Sequence, residues 1–324
     1  MRILIVGMGS IGRRHISNLQ KLVDRPEFIL LRNPNKEYEF SSDLGAIIVK
    51  SFTEAITLRP AFAVIASPSV FHFEALQALL PAQIPCYVEK PLVTTEAQIQ
   101  QLELLISSTT RVPTTMTGCN LRFLPSIKTA RQLIRDNVLG RPVRASFQVG
   151  QWLPDWRPAQ DYRQSYSVSR ELGGGVVLDL IHELDAARFL FGEFEQIFSL
   201  GGKYSRLEIE SEDSVAIILG RPHGPVVSLG LDYVSQSGVR RYEIICDEGS
   251  LIWDLPARTL MILRRDKQEL VTNECFDFDI SASYFDAMKE FLSAVEGSRS
   301  SSQDLADGLR SVRLAVLANR QLRQ

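Results

Sequence analysis

MRILIVGMGSIG, residues 1–12, opens the chain with a short apolar run that leads directly into three glycines. A continuous apolar run of this length, ended by glycine, predicts a strand that is buried on both faces. Gly7 permits the tight turn out of the strand, Gly9 leaves room for a pyrophosphate, and Gly12 lets the following helix pack close to the strand. The stretch therefore has the pattern of a dinucleotide-binding turn.

The helix that follows the glycines is predicted to begin near Ser10. Its N-terminal N–H groups and the positive end of its dipole favour an anion, so Ser10 and Ile11 join the glycines as predicted cofactor-binding residues. A lone GxGxxG motif is a weak signal, but this one follows a strand and opens a helix, as it does in dinucleotide-binding domains. The alternative is a glycine-rich turn that binds no ligand.

The bulk composition is that of a soluble globular protein with about two domains. The 324 residues are 45% hydrophobic and 23% charged, and their net charge is −2. No basic block indicates nucleic acid, and no apolar run is long enough for a membrane span. We therefore expect a cytoplasmic protein with no nucleic-acid or membrane partner. The cysteines are far apart, which predicts free thiols and neither disulfides nor a metal site.

Strand-like and helix-like runs alternate up to residue 120. Strands are predicted at 28–31, 46–49, 62–66, 85–88 and 114–118, and helices at 52–58, 70–80 and 95–108. This alternation predicts a doubly wound parallel sheet, a Rossmann domain over residues 1–120. Such sheets bind ligands beyond the carboxyl ends of their strands. The residues that leave those ends, and that we expect to border the cofactor, are Ser67, Pro68, Glu89, Lys90 and Asn120.

The end of the second predicted strand bears on the choice of cofactor. An NAD-binding domain usually carries an acid there, about 20 residues after the glycines. Arg32 and Asn33 occupy this position instead. Because a guanidinium suits a 2′-phosphate, we expect NADP(H) to be preferred, with NAD(H) as the alternative. If Arg32 is only a solvated strand-end residue, cofactor specificity lies elsewhere.

Residues 121–324 predict a second α/β domain. After a helix at 126–137, strands are predicted at 143–149, 194–200, 214–219, 226–233, 240–246, 250–253, 259–263 and 269–273. Consecutive strands joined by turns predict an open, mainly antiparallel sheet, and helices at 283–295 and 303–323 close the chain. One sheet face is expected to pack on a helix at 176–191. The other face can pair with a second subunit, so we expect a homo-oligomer, a dimer or a tetramer.

The segment 151–169 has no clean period and mixes aromatic with charged residues. Trp156, Arg157, Tyr162 and Arg163 are its candidate substrate-binding residues. Such a loop suits a lid over a polar, ring-shaped ligand. A packed surface loop or an oligomer contact is the alternative.

The helix predicted at 176–191 carries the candidate acid–base residues. Asp179 and His182 are three residues apart and therefore neighbours on a continuous helix, and Asp185 lies on the same stripe. A histidine with a near-neutral pKa can exchange a proton with a hydroxyl, and a neighbouring carboxylate can orient it. A lone helical histidine, by contrast, is usually structural.

Three motifs in order resemble the Gfo/Idh/MocA family of NAD(P)-dependent oxidoreductases over essentially the whole chain. They are the glycines at 7, 9 and 12, then Glu89-Lys90-Pro91, then residues 173–175 with the Asp179, His182 and Asp185 set. The resemblance implies a Rossmann domain followed by an α/β domain with an open sheet. It also implies hydride transfer at a hydroxyl or keto carbon of a sugar, polyol or related compound.

The resemblance also implies roles for particular residues. Lys90 would contact the substrate and the nicotinamide ribose, and a cis peptide would precede Pro91. Arg122 would lie on a substrate-side loop, although it can instead pair with an acid at the domain boundary. We expect Lys90 to polarise the substrate oxygen, His182 to exchange its proton, and Asp179 or Asp185 to orient His182.

One spacing departs from the commonest family form, in which the aspartate and the histidine are four residues apart. On a continuous helix the three-residue spacing displaces Asp179 by about 100° around the axis, which makes its role less secure than that of His182.

The loop and the glycine-led helix also resemble family members associated with surface-polysaccharide sugar biosynthesis, which favours a nucleotide-linked or acidic sugar. A cofactor-binding regulator without turnover and a reductase of a non-sugar carbonyl are the alternative functions.

Overall fold

Two compact units make up the computed structural model, which describes residues 1–32, 45–156, 161–297 and 300–322. Unit 1 comprises Met1–Cys119 with Tyr284–Val312, and unit 2 comprises Asn120–Ser283 with Arg313–Gln324. Residues 284–312 therefore pack with unit 1, whereas the sequence prediction assigned them to the second domain.

An aromatic contact explains the placement of residues 284–312. Phe291 is fully buried and packs edge-to-face on Phe62 and Tyr87, with ring centroids 5.5 and 5.7 Å apart. A contact of this kind is long-range along the chain, and so it leaves no local pattern in the sequence.

Unit 1 contains a six-stranded parallel sheet, as predicted. Its strands are β1 (Arg2–Val6), β2 (Glu27–Leu31), β3 (Ile47–Val49), β4 (Phe62–Ile65), β5 (Cys86–Val88) and β6 (Thr115–Thr117). Their spatial order, β3-β2-β1-β4-β5-β6, is that of the doubly wound dinucleotide-binding fold. Strands β1 and β4 are almost wholly apolar because helices cover both faces of the sheet.

The helices of unit 1 that lie between its strands in sequence are α1 (Ser10–Leu22), α2 (Phe52–Thr57), α3 (His72–Leu79) and α4 (Glu96–Ser108). Side-chain oxygens of Ser51 and Thr95 cap α2 and α4 by accepting hydrogen bonds from backbone N–H groups. Helix α1 has no such cap, since Gly9 occupies its N-cap position.

Unit 2 contains an eight-stranded sheet. Its strands are β7 (Pro142–Gly150), β8 (Gln196–Gly202), β9 (Ser214–Gly220), β10 (Val226–Asp232), β11 (Val239–Cys246), β12 (Gly249–Asp254), β13 (Thr259–Arg264) and β14 (Lys267–Thr272). Their order is β14-β13-β12-β11-β7-β10-β9-β8. Strands β7 and β10 pair in parallel and the other neighbours pair antiparallel, which confirms the mainly antiparallel sheet.

Helices of unit 2 cover one face of this sheet. The other α-helices of the described residues are α5 (Pro125–Arg135), α6 (Val176–Asp179), α7 (Ile181–Phe191), α8 (Ile280–Val295) and α9 (Leu305–Gln321). Most of α8 and the first part of α9 fall within residues 284–312 and so belong to unit 1. Phe147 of the sheet packs on Phe191 of α7 and stacks on Tyr242, with ring centroids 6.3 and 3.9 Å apart. Trp253 donates a 2.9 Å hydrogen bond from Nε1 to Ser126 Oγ on α5.

The helix predicted over 176–191 is interrupted at Leu180, so the prediction of one continuous helix was wrong. Leu180 has φ −98° and ψ 29°, outside the helical region, and it ends α6 and precedes α7. Side chains on either side of the break have buried tyrosine partners, since Asp179 bonds to Tyr233, just after β10, and Glu183 bonds to Tyr242 on β11. The expected displacement of Asp179 by about 100°, relative to the commonest family spacing, assumed one continuous helix. Because the helix is interrupted at Leu180, this angle does not apply.

The segment predicted to be irregular contains, in the part that the structure describes, three single turns of 3₁₀ helix. They span Leu153–Trp156, Tyr162–Gln164 and Tyr166–Val168. Within the described ranges, no helix is both long enough and apolar enough to cross a bilayer.

The contact between Gly12 and Gly7 generates a prediction about stability. A Cβ atom on Gly12 would overlap the backbone carbonyl of Gly7. We expect Gly12→Ala to lower the free energy of unfolding by about 1–3 kcal/mol, the usual effect of overpacking. Gly230→Ala is the matched control, because a Cβ there meets no atom of the described ranges within 4 Å. Urea denaturation measures both variants, and an equal loss in the two would contradict the account.

Candidate active site

The glycine turn of unit 1 is built as the sequence predicts. Gly7 has φ +100°, a conformation that side-chain-bearing residues rarely adopt. A Cβ on Gly7 would also overlap the backbone of Ala66 and Ser67, just beyond β4. Gly9 differs from Gly7 and Gly12, since a Cβ there meets no atom of the described residues within 4 Å. Among these residues, space therefore opens directly in front of Gly9.

The N-terminus of α1 borders this space. Gly9 supplies no side-chain cap, and the first turn of α1 holds no acidic residue. Ser10 is exposed, and Ile11 follows it in the first turn. Unsatisfied N–H groups at a helix start bind phosphate or carboxylate oxygens. These residues thus fit the pyrophosphate of a dinucleotide.

The other strand ends of unit 1 carry the remaining cofactor predictions. Ser67 follows β4, and its Oγ is buried with no hydrogen-bond partner among the described residues. Pro68 is exposed beside it. Arg32 follows β2, where its backbone N–H donates to the Val49 carbonyl at 3.0 Å and its side chain is nearly buried. Asn33 lies outside the described residues.

Lys90 stands in a turn after β5 that is tied by hydrogen bonds. The peptide between Lys90 and Pro91 is cis, as the family resemblance implied. The Lys90 backbone N–H lies 3.3 Å from Glu89 Oε2, and Glu89 Oε1 lies 2.7 Å from His15 Nε2. Glu89 is buried, whereas Lys90 is half-buried. His15 and His72 are not among the site residues predicted from the sequence, although both bond to this turn.

Asp179 of unit 2 accepts a hydrogen bond from a tyrosine that the sequence did not single out. Tyr233 donates from its hydroxyl to Asp179 Oδ2 at 2.7 Å. Tyr233 is fully buried, and its hydroxyl has a pKa well above the usual value. Burial is the main cause, and the negative charge of the nearby Asp179 carboxylate is the next. Trp156 packs edge-to-face on the same ring, with centroids 5.2 Å apart. The structure thereby brings the predicted residues Trp156 and Asp179 to one tyrosine.

The glycines that precede α6 make room for a buried carboxylate. Gly175 has φ +116°, and a Cβ on it would overlap the side chain of Glu212. Glu212 Oε1 accepts from the Val177 N–H at 3.5 Å, near the start of α6. Burial raises the pKa of Glu212 above its usual value, and the Asp179 carboxylate adds to the increase. Glu212 therefore holds the start of the short helix that ends in Asp179.

His182 lies in the first turn of α7 and is 7% exposed. The adjacent Glu183 anchors this turn to the sheet. Its Oε1 accepts from Arg240 Nε at 2.7 Å and from the Tyr242 hydroxyl at 3.0 Å. The position of His182 is thus fixed by its neighbour in sequence, which is fully buried.

Arg122 forms the acid pairing that was the alternative to substrate binding. Its Nε and Nη2 donate to the two carboxylate oxygens of Asp185 at 2.7 and 2.6 Å, and both side chains are buried. Asp185 also lies 3.5 Å from Arg188. Both Asp185 oxygens are therefore engaged by a guanidinium, and the roles of Arg122 in substrate binding and of Asp185 in orienting His182 stay predictions.

The other candidate residues of unit 2 lie in separate contacts. Asn120, predicted to bind cofactor, donates from Nδ2 to Ser283 Oγ at 2.7 Å. Tyr162 accepts at its hydroxyl from the Glu208 N–H at 3.2 Å. Arg163 forms close bonds to Asp161 and a longer one to Glu208. Arg157 lies outside the described residues.

The sheet order, the glycine turn and the uncapped helix together define a class, that of proteins with a Rossmann domain for a dinucleotide. Residues 1–115 match the oxidoreductase family with an NAD-binding Rossmann fold, and residues 127–252 match the GFO/IDH/MocA C-terminal domain. The chain belongs to the Gfo/Idh/MocA family of oxidoreductases, which confirms the resemblance drawn from its motifs.

Similar proteins include sugar dehydrogenases. Myo-inositol 2-dehydrogenase of Thermotoga maritima is 24% identical over 342 residues, covering 100% of this chain and 97% of that protein. The structure of a levoglucosan dehydrogenase complex with NADH and levoglucosan has a TM-score of 0.83 at 18% identity, covering 99% and 98% of the two chains. UDP-N-acetylglucosamine 3-dehydrogenase from Acidithiobacillus ferrooxidans has a TM-score of 0.78 at 20% identity, covering 99% and 97%. The two structures show a shared fold.

The buried pair of Arg122 and Asp185 generates a second prediction about stability. Arg122→Leu removes the bidentate guanidinium partner of the buried Asp185 carboxylate. We therefore expect a loss of about 3–5 kcal/mol in the free energy of unfolding. The double change of Arg122 and Asp185 to Leu should cost less than the sum of the single changes, since neither charge is then left alone.

Arg141→Leu is the matched control for the substitutions at Arg122 and Asp185. Arg141 pairs with Asp247 at 3.2 Å, but its side chain is 86% exposed. A surface pair of this kind contributes about 0–1 kcal/mol. Denaturant titrations measure all the variants, and additive losses at positions 122 and 185 would contradict the expected coupling.

Proposed function

We propose that this protein transfers a hydride between a nicotinamide dinucleotide and a carbon that bears a hydroxyl or keto group in a sugar or sugar derivative. The observation that carries the proposal is the uncapped, acid-free start of α1 behind the open space at Gly9. Family membership supports the redox chemistry. The names of the inositol and levoglucosan dehydrogenases support a hydroxyl-bearing ring as substrate.

The residues proposed for the chemistry have separate tasks. The bound nicotinamide supplies the acceptor or donor of the hydride. In the oxidation direction, His182 accepts the proton of the substrate hydroxyl as the carbon loses its hydride, and a keto group results. The Lys90 ammonium donates a hydrogen bond to the same oxygen and stabilises its developing negative charge. Asp179, bonded to Tyr233, supplies a fixed carboxylate beside α7.

Two of the arginines among the candidate substrate-binding residues have protein partners. Arg122 is paired with Asp185, and Arg163 is paired with Asp161. These contacts favour an uncharged ring at the position that reacts. A nucleotide-linked sugar stays within the proposal, because its phosphates lie away from the reacting carbon. The fold shared with a UDP-N-acetylglucosamine 3-dehydrogenase supports testing that class.

The outer face of the unit 2 sheet supports the proposal of a homo-oligomer. Phe198 and Leu200 on β8 are 65% and 78% exposed, and Val226 on β10 is 53% exposed. Apolar side chains gathered on one sheet face are typical of surfaces that bind protein. A second copy of this chain, as a dimer or a tetramer, is the partner that we propose.

His182→Asn tests the proposed reaction. Wild-type protein should oxidise or reduce at least one member of a panel of cyclic polyols, aldoses and nucleotide sugars, followed by nicotinamide absorbance. The variant should lose about 10²–10⁴ in kcat, the usual contribution of general acid–base catalysis, while its affinity for the cofactor is unchanged. His223→Asn is the control, because His223 is an exposed turn residue with φ 58°.

Two outcomes would contradict the proposal. Tight binding of the cofactor without turnover of any panel member would favour the cofactor-binding regulator. Turnover that is unchanged in the His182 variant would remove this residue from the mechanism.

A preference for NADP(H) is the finer part of the proposal, and it depends on Arg32. Arg32→Gln removes the guanidinium while retaining a polar side chain. We expect the affinity for NADPH to fall about tenfold or more, and that for NADH to stay nearly constant, because charge-assisted bonds to the 2′-phosphate are lost. Arg2→Gln is the control at the opposite end of the same sheet. Fluorescence titrations measure both affinities, and tighter binding of NADH by the wild type would refute the preference.

A further inference from the structure

Two buried histidines hold the turn that carries Lys90, one at each end of the turn. His15 comes from α1, three residues after Gly12, and contacts Glu89. His72 is the first residue of α3, five residues after Ser67, and contacts Pro91. Both imidazole rings are 0% exposed.

His72 connects two turns at once. Its Nδ1 lies 3.0 Å from the Pro91 carbonyl oxygen, and its Nε2 lies 2.9 Å from the Ser67 carbonyl oxygen. Both partners accept hydrogen bonds, so a neutral ring donates to one of them and a charged ring donates to both. Burial lowers the pKa of His72, while the two carbonyls and the Glu89 carboxylate act in the opposite direction. In either state the ring spans the turns after β4 and β5.

His15 fixes the other end of the turn. Its Nε2 lies 2.7 Å from Glu89 Oε1, and the second oxygen of that carboxylate faces the Lys90 N–H at 3.3 Å. The imidazole packs edge-to-face on Tyr87 and Tyr284, with centroids 4.9 and 6.2 Å apart.

The Glu89 carboxylate lies beside Gly118, which has no side chain to crowd it. A Cβ on Gly118 would come within 3.1 Å of Glu89 Oε1 and 3.0 Å of the Tyr87 hydroxyl. Glycine at position 118 therefore leaves room for the Glu89 carboxylate next to His15.

We propose that His15 and His72 are positioning residues, which make the glycine turn, the Ser67–Pro68 turn and the Lys90 turn one hydrogen-bonded unit. The inference rests on the proposed function, because that function is what assigns Lys90 a contact with the substrate oxygen. His15 belongs to α1, which begins at the predicted contact Ser10, and His72 bonds directly to the carbonyl of Ser67, another predicted contact. A dinucleotide that orders the start of α1 or the Ser67–Pro68 turn therefore also fixes the backbone from which Lys90 projects. Buried histidines that serve only to fill the core would affect stability alone.

Single substitutions at His72 separate the two bonds. An asparagine amide nitrogen can take the place of Nδ1 and keep the bond to Pro91, whereas a glutamine amide nitrogen can take the place of Nε2 and keep the bond to Ser67. For His72→Gln we expect kcat to fall about tenfold or more, with little change in cofactor affinity. For His72→Asn we expect the reverse, a cofactor affinity that is about tenfold weaker and a kcat near that of the wild type.

Hydrogen–deuterium exchange of the full-length protein without ligand gives a readout that is independent of turnover. We expect faster exchange in peptides covering residues 88–94 for His72→Gln and His15→Leu. We expect exchange near that of the wild type for His72→Asn and for His15→Gln, which keeps a donor near the position of Nε2. His223→Asn is again the control, and its exchange over residues 88–94 should match the wild type.

The outcomes separate this inference from the proposed function. Unchanged exchange over residues 88–94 in His72→Gln and His15→Leu overturns the inference, even if a sugar substrate is found. Increased exchange in these variants supports the inference, even if no substrate is turned over. If a variant does not fold, the rescue pair His72→Asn and His15→Gln decides, and accelerated exchange over these residues in both of them would overturn the inference.

Discussion

The close approach of α1 to β1 is the constraint on which unit 1 depends. A helix can start directly behind this strand because Gly12 has no side chain to meet the Gly7 carbonyl, and because Gly7 adopts a φ of +100°. The same arrangement aims the free N–H groups of α1 into the space beside Gly9. Folding and cofactor binding therefore require the same backbone geometry, and the rest of the unit is arranged around it.

In unit 2, buried carboxylates are the groups that hold α6 and α7 in place. Asp179, Glu183 and Asp185 lie on α6 and α7, and each has a different partner. Asp179 accepts from a tyrosine hydroxyl, Glu183 from an arginine and a tyrosine, and Asp185 from a bidentate guanidinium. Because an unpartnered buried carboxylate is costly, these contacts fix both short helices on the sheet. The position of His182 in the first turn of α7 is therefore set by the contacts of its acidic neighbours.

Much of the fold could be predicted because its causes are local. The apolar runs of β1 and β4 and the glycines between β1 and α1 identify a parallel sheet and a dinucleotide turn without any knowledge of long-range contacts. The strand spacing in unit 2 likewise indicates an antiparallel sheet. The family motifs then indicated Lys90, His182 and Asp179 as candidate site residues.

What could not be predicted depends on contacts between distant residues. The helical period continues through Leu180, whereas the contacts on either side of the break, to Tyr233 and Tyr242, are long-range and leave no local pattern in the sequence. The pattern around Arg122 fitted both a substrate ligand and an ion pair, and Asp185 is 63 residues away in sequence. His72 showed no motif of its own, because its two acceptors are backbone carbonyls, which sequence patterns do not record.

A crystal structure of the protein with bound NADPH or NADH tests the central claim most directly. The account predicts pyrophosphate oxygens within hydrogen-bonding distance of the N–H groups of Ser10 and Ile11, with the phosphates over Gly9. A dinucleotide bound elsewhere, with the space in front of Gly9 left to solvent at saturating cofactor, would contradict it.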